Sequence, residues 1–494
     1  MRRLVVRALG PVLGVAPRWR WVLRWLLVGM GVLWLGGGRP GVSPAGTHEA
    51  HGGAEQVVAI GTDALYWWQE PSGMQVVFFG VGADVVSFQV LWHSGAMDDP
   101  PDRAGLAMVA AEHLVRCTAQ MDRLAFEDRL GDLGARVELQ VGESATLLRV
   151  EVLAEHAEAM LVLLGEMVDA PCEDEAVLAA LFTELDGREA FRLDDDQRLA
   201  RTLLASFAFG AHPYGRDPLA RSESRQRIRM ADVARYRDAH LHMSNAVLAV
   251  SGPVDAALLV RLRETWQQFR VGERPVRAQR ALPRARGTRL LLVDKANRSQ
   301  HQVLVGLLLP PPTAENGPAF ELVRVVLGGT FSSRLVRELR SERGWTYMVR
   351  AERWRYPESA LLLLQTFVAP DRSVQTLGQM LHHLNDLGLH GMREGEFEAA
   401  QRYFVENWWL RFERPVDVAL EAARFLHYGL SPEALQQVPE RVAALEKGEV
   451  DAAFRSLVTE GDLSLLVLCS AALFESAFLR MPGLRSLAIV PYDT

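Results

Sequence analysis

Apolar and polar positions alternate along this chain in two sets that repeat in the same order. In the first half, Gln75–Phe79 and Val85–Trp92 read as apolar strands; in the second, Arg289–Val293 and Gln302–Leu309 do. Each pair runs into a Pro-bearing turn, Pro100-Pro101 or Pro310-Pro311-Pro312, and then into a helix. Each half closes on a helical stretch and a last strand, Ala246–Ser251 and Leu463–Cys469. Arg136–Val152 alternates as a strand pair turning at Gly142-Glu143-Ser144. The repeat is about 200 residues long, too long for a solenoid. It predicts an α+β protein of two homologous αβ domains, 57–270 and 288–494, each a mixed or antiparallel sheet packed by helices. Residues 271–287 carry two Pro and several Arg without apolar periodicity, and read as a solvated linker.

The segment Gly328–Tyr347, GGTFSSRLVRELRSERGWTY, concentrates the candidate chemistry. It predicts a Gly-Gly turn, a cap from Thr330, Ser332 and Ser333, an amphipathic helix with Leu335 and Leu339 on one face, and a stop at Gly344 before a strand. Arg340 has Val336, Arg337, Arg343 and Gly344 at i±4 and i±3, so no acid sits where a helical ion pair needs one. A guanidinium beside like charges, with Tyr347 seven residues on, suits an incoming carbonyl or carboxylate.

Length and composition set the frame. The 494 residues exceed one ordinary core, and 49% hydrophobic with 23% charged residues is the balance of a globular protein. A net charge of −7 without a long basic run in the body argues against nucleic acid as a partner. Cys117, Cys172 and Cys469 have no CxxC spacing; packed free thiols are the expectation, with a Cys117–Cys172 bridge open in an oxidising compartment. The histidine pairs His240/His242 and His382-His383 read as surface residues, and the paired tryptophans Trp67-Trp68 and Trp408-Trp409 as core or partial core.

The N-terminus differs from the body. Arg2, Arg3, Arg7, Arg18, Arg20 and Arg24 precede an apolar run, Trp25–Leu35, and small residues around Ser43–Gly46. Residues 1–46 therefore read as a signal peptide or an N-terminal membrane anchor, and 47–56 as a tether. The expected location is periplasmic or otherwise extracytoplasmic, with membrane contact only through this segment.

The Gly328–Tyr347 block resembles the C-terminal half of the pitrilysin/insulinase family of zinc metallopeptidases, whose motif there is GGxxSSRLxxELRxxxGxxY. Further matching elements are SGAMDDPPDRAGLA (Ser94–Ala107), LGARVELQVGESATLLRVEVL (Leu133–Leu153), GAHPYGRDPLA (Gly210–Ala220) and LHYGL (Leu426–Leu430), so the resemblance spans about Val57 to Pro482. It implies two αβ repeats arranged as a clamshell. Active members carry H-x-x-E-H, which puts two zinc-binding His on one helical face with the water-activating Glu between them. In the ungapped register this chain has Met108, Ala111 and Glu112 at those positions. A one-residue slip keeps Glu112 and His113 but puts Val109 at the first ligand. Neither register holds a complete set. Glu184, at 184 − 112 = 72 residues beyond Glu112, matches the third ligand. Glu112 has Arg116 at i+4, which predicts a surface ion pair.

What the resemblance implies about function follows from that asymmetry. The zinc-site positions Met108, Ala111, Glu112 and Glu184 are degenerate, so this chain is expected to bind no zinc; Arg340 and Tyr347 match the family's substrate-binding pair. The expectation is a non-catalytic subunit of a heterodimer, acting on peptide substrate with a catalytic metallopeptidase of the same family that holds the zinc. The alternative is a scaffold or assembly protein using the clamshell as a binding surface. In similar proteins the strand edge around Glu138 pairs with extended substrate, and Glu138 makes that edge more acidic here.

Overall fold

The computed structural model describes residues 56–60, 63–82, 84–277, 280–282, 287–460 and 463–493. The predicted leader or anchor, and the tether up to residue 55, lie outside the described residues; Gln56 already belongs to a strand. The strands are β1 (Gln56–Ile60), β2 (Asp63–Gln69), β3 (Gln75–Gly80), β4 (Val85–Trp92), β5 (Arg136–Val141), β6 (Thr146–Leu153), β7 (Ala246–Gly252), β8 (Thr288–Asp294), β9 (His301–Leu309), β10 (Val349–Tyr356), β11 (Ser359–Val368), β12 (Leu463–Cys469) and β13 (Leu484–Pro491). The helices used below are α1 (Leu106–Leu114), α2 (Glu175–Asp194), α3 (Asp196–Phe209), α4 (Asn316–Arg324) and α5 (Pro415–His427).

The strands form two sheets, in the orders β1-β2-β3-β7-β4-β6-β5 and β10-β11-β9-β12-β8-β13. The run β5-β6-β4-β7-β3 has three antiparallel pairings and then a parallel one, and β10-β11-β9-β12-β8 repeats that order and those directions. The internal repeat is therefore real at the level of hydrogen-bond topology, and the predicted α+β class with two mixed sheets holds.

Why the central strands are apolar on both faces becomes plain from what covers them. In the first sheet every residue of β7 is buried, and in the second every residue of β12 is. Helix α5, from the second half, packs on β7, β3 and β4 of the first sheet. Helix α3, from the first half, packs on β9, β12 and β8 of the second. Leu199, Ala200 and Leu204 of α3 share a core with Leu291, Leu304, Leu363 and Leu466. On the other side Ala419 and Ala422 of α5 share one with Val77, Val247 and Ala249. Each half thus lends a helix to the other, and the central strands of each sheet leave water on both faces. The linker departs from the solvated reading: Arg277 donates to Asp98 at 2.9 Å and to the His93 carbonyl, and so docks on the first half.

The exchange brings a histidine pair together. His427, at the end of α5, stacks on His93 with ring centroids 5.2 Å apart and Nδ1 atoms 2.9 Å apart, while its Nε2 meets Ser144 Oγ at 3.1 Å. The Nδ1 contact requires one ring to donate and the other to accept, so the accepting ring must be neutral and the two cannot both be cationic. Burial, with Arg277 and Arg274 nearby, pushes His427 down to about 3; burial and the His427 ring also push His93 down. An unfolded histidine titrates near 6.5, so below that pH the unfolded chain takes a proton that the folded one refuses. Stability should fall as pH falls through the window from 6.5 towards 3. Between pH 7.5 and 5.5 the His427 share is on the order of 1 kcal/mol. Urea unfolding at both values checks this, and His427→Gln should lose that share of the pH dependence.

Candidate functional site

The motif block folds around a widened helical turn. Leu335 and Leu339 are fully buried, as their i, i+4 spacing predicts. Val336–Glu342 is π-helical, and Gly344 stops it at φ +63°. The hydroxyls do not cap as predicted: Ser333 Oγ donates to the Thr330 carbonyl at 2.7 Å, and Thr330 and Ser332 bond each other at 3.2 Å. Those hydroxyls tie down the turn before the helix and leave its N–H groups alone. Gly328 is required where it stands, because a Cβ there would lie 2.9 Å from the Ala351 nitrogen on β10.

The two arginines on this turn have opposite fates. Arg334 is buried, with its Nη2 2.6 Å from Glu396, its Nη1 3.0 Å from Asp386 and a further bond to the Gly391 carbonyl. Arg340 makes no ion pair among the described residues. Its charged neighbours are accounted for elsewhere, Arg343 with Glu338 at 2.6 Å and Arg337 with Glu342 at 3.6 Å. Arg340 lies over the rings of Tyr347, at 4.8 Å, and Phe331, at 5.3 Å. Tyr347 and Phe331 are 76% and 80% exposed. A cation held between two open aromatic rings keeps its outward N–H groups for another molecule.

At the degenerate zinc positions a different chemistry has taken the space. Met108 and Glu184 line one cavity of about 710 Å³ together with Arg188, Arg192, Arg216 and Asp217. Glu112 bonds Arg188 and, at 3.1 Å, Arg116; Glu184 bonds Arg188 at 2.5 Å and Arg116 at 2.7 Å. Two carboxylates are thus crossed by two guanidiniums. Burial raises Glu184, but Arg188 and Arg116 outweigh it and hold its carboxyl below the usual range. The Glu112–Arg116 pair forms as its spacing predicts, but buried rather than at the surface.

Met108 and Glu112 share the α1 face that meets α2: Met108 lines the cavity with Glu184, and Glu112 shares Arg116 and Arg188 with it. His113 points away, its Nε2 3.9 Å from Cys172 Sγ. Cys172 is bridged to Cys117, so the free-thiol expectation fails for these two and holds for buried Cys469. The bridge joins the residues just after α1 to those before α2, 55 positions on, where sequence spacing carries no signal. His242 is likewise buried rather than a surface residue. Arg340 and Tyr347 are not on the wall that Met108 and Glu184 share. The edge strand β5 ends its sheet, and Glu138 on it is offset by Arg136 at 2.7 Å and Arg149 at 3.6 Å, so the edge is less acidic than the sequence implied.

Residues 227–404 match the family model described as the peptidase M16 inactive domain. An uncharacterized zinc protease of Mycobacterium leprae is 24% identical over 347 residues, covering 67% of this chain and 75% of that protein. Another, from Streptomyces coelicolor, is 22% identical over 342 residues, 67% of this chain and 73% of its own length. Among solved structures, the peptidase M16 inactive domain from Pseudomonas fluorescens superposes with a TM-score of 0.75 at 18% identity, covering 82% of this chain and 97% of that one. Over residues 227–404 the chain is thus similar to the M16 inactive domain in sequence, and over most of its length it shares that fold. The periplasmic protease PqqL of Escherichia coli superposes with a TM-score of 0.68 at 14% identity over 92% of this chain but 51% of its own, so this chain has the extent of one half of that fold.

The donor set does not fit the zinc of active members. A thioether stands at one ligand position, a methyl at the base position, and both remaining carboxylates are bound to guanidiniums. Sequence reasoning missed Arg188, although its i+4 spacing from Glu184 was legible on the helix. It also missed Arg192 and Arg216, which are brought to the cavity by folding. The consequence is testable. Met108→His with Glu112→His sets two imidazoles on the face that meets Glu184, yet zinc should bind weakly while Arg116 and Arg188 hold that carboxylate. Adding Arg188→Ala should tighten zinc roughly tenfold or more, measured by competition with a chromophoric chelator. Equal affinity with and without Arg188 would show that Glu184 does not serve those two positions.

Proposed function

We propose that this chain is the non-catalytic subunit of a heterodimeric zinc metallopeptidase. In this reading a partner of the same family carries H-x-x-E-H and the metal, and this chain adds Arg340 and Tyr347 to the partner's site. The observation that carries the proposal is the state of Arg340: a cation without a carboxylate partner among the described residues, held between exposed rings, while Arg334, Arg337 and Arg343 of the same motif are all paired. Its N–H groups and the Tyr347 hydroxyl are donors suited to a peptide carbonyl whose oxygen gains charge during attack. The Glu112–Arg116–Glu184–Arg188 arrangement supports the other half of the reading, because it stabilises the former metal position without metal. We place the complex outside the cytoplasm; the basic-then-apolar N-terminal sequence and the Cys117–Cys172 bridge are what favour that.

Purified alone, the chain should hold no stoichiometric zinc and cleave no peptide, whereas mixing it with an H-x-x-E-H-bearing partner should give activity that saturates at one chain per partner. Close to one tightly held zinc per isolated chain, with peptide cleavage, contradicts the reading. A stable complex whose turnover is indifferent to this chain would be the mark of the scaffold alternative.

A further inference from the structure

A second cavity, of about 300 Å³, opens in the C-terminal half against α4, β10 and α5. By the internal repeat, α4 and edge strand β10 stand where α1 and edge strand β5 frame the degenerate zinc position. Its wall carries five arginines, Arg324, Arg353, Arg355, Arg411 and Arg441, against three glutamates, Glu321, Glu352 and Glu421, so charge there is in cationic excess. The glutamates are already engaged. Glu321 holds Arg324 at 2.8 Å and Arg353 at 3.1 Å, Glu421 holds Arg355 at 2.6 Å, and Glu352 is drawn off by Arg201 at 2.6 Å.

Two buried donors on this wall have no partner among the described residues. One is Nε of Arg353, whose side chain is 7% exposed; the other is the indole Nε1 of Trp408, which is 4% exposed. Buried N–H groups without an acceptor are unfavourable, which makes them a reason to look for a ligand. Arg411 adds a further positive charge over the Trp408 ring, at 5.2 Å, and makes no ion pair among the described residues. The lining also holds the apolar Phe425, Leu430 and Val438. Unpartnered buried N–H donors, excess positive charge and apolar side chains in one cavity together select a carboxylate on a hydrophobic body. The volume is at the small end of ligand sites and suits a single large residue.

We propose that this cavity binds a free α-carboxylate borne on an apolar residue, the C-terminus of a peptide or a single N-blocked amino acid. Arg353 and Trp408 donate to the carboxylate, and the side chain lies against Phe425 and Leu430. The site is independent of any partner peptidase and stands or falls by itself.

The test is isothermal titration calorimetry of the full chain with four probes: N-acetylphenylalanine, its amide, the peptide Ac-Ala-Ala-Phe, and that peptide's amide. At least one acid should bind with one site per chain, and its amide at least about tenfold more weakly, since the charged acceptor is gone. Equal binding of the single residue and the peptide assigns a free amino-acid-like ligand; binding of the peptide alone assigns a chain end. Trp408→Phe keeps a ring and removes the donor, and should weaken the acid about tenfold while leaving the amide unchanged. The acid–amide contrast in the unmodified protein decides the matter even if that variant folds poorly. Acid and amide binding alike, no binding by any of the four, or a folded Trp408→Phe protein that binds the acid as tightly as before, would overturn the proposal.

Discussion

Replacing Arg334 by alanine should destabilise the protein by about 3–5 kcal/mol, the range expected when one member of a buried ion pair is removed. Arg334 is 2% exposed and holds Glu396 through two nitrogens, Asp386 at 3.0 Å and the Gly391 carbonyl. Burial raises Glu396, and the Arg334 bonds and charge more than reverse that, holding its carboxyl below the usual range. Without the guanidinium, the part-buried Glu396 carboxylate keeps only the Arg393 N–H, the buried Gly391 carbonyl loses a donor, and the turn after α4 loses its tie to the helix that follows Arg393. Arg340→Ala, six positions on, breaks no ion pair and should change stability by less than about 1 kcal/mol, the scale of an exposed cation–π contact. Urea unfolding followed by tryptophan fluorescence measures both. A loss below about 1 kcal/mol for Arg334→Ala would mean that the anchor described here is not one.

That contrast also marks how far the sequence could be read. Eight of the strands, β3 to β9 and β12, were legible because their residues are apolar without interruption or alternate cleanly. Strand β11, Ser359–Val368, was missed because a continuous run such as Ala360–Leu364 is equally good as a buried helix segment. The first two strands hid behind the polar, Gly-bearing stretch that precedes them. At the site, the want of a complete H-x-x-E-H was plain from residue types alone, since neither a thioether nor a methyl can stand in for imidazole or a base. The crossed ion pairs were half legible: two i, i+4 pairs, Glu112–Arg116 and Glu184–Arg188, could be counted, but their meeting across α1 and α2 depends on the fold. The reciprocal exchange of α3 and α5 had no local signature, because each helix is an ordinary amphipathic segment whose apolar face does not name the sheet it will cover. The same holds for His93 and His427, which are 334 residues apart.

The second large effect concerns Arg340 and Tyr347. In the reconstituted pair, either Arg340→Ala or Tyr347→Phe should lower turnover by about 10²–10³, the usual loss when one preorganised donor to a developing oxyanion is removed. Folding and pairing should be intact, because Tyr347 is 76% exposed and Arg340 is bound to no acid among the described residues. The fall should appear in kcat and in kcat/KM alike, since a donor to the developing charge acts in the transition state and not on ground-state binding. A merely packed tyrosine and a merely solvated arginine would move neither. Steady-state kinetics of the complex, with each variant mixed at saturating ratio against an H-x-x-E-H-bearing partner, is therefore the most direct measurement. The account predicts a complex that forms as tightly as before and turns over about 10²–10³ more slowly; turnover unchanged within about twofold in both variants would contradict it.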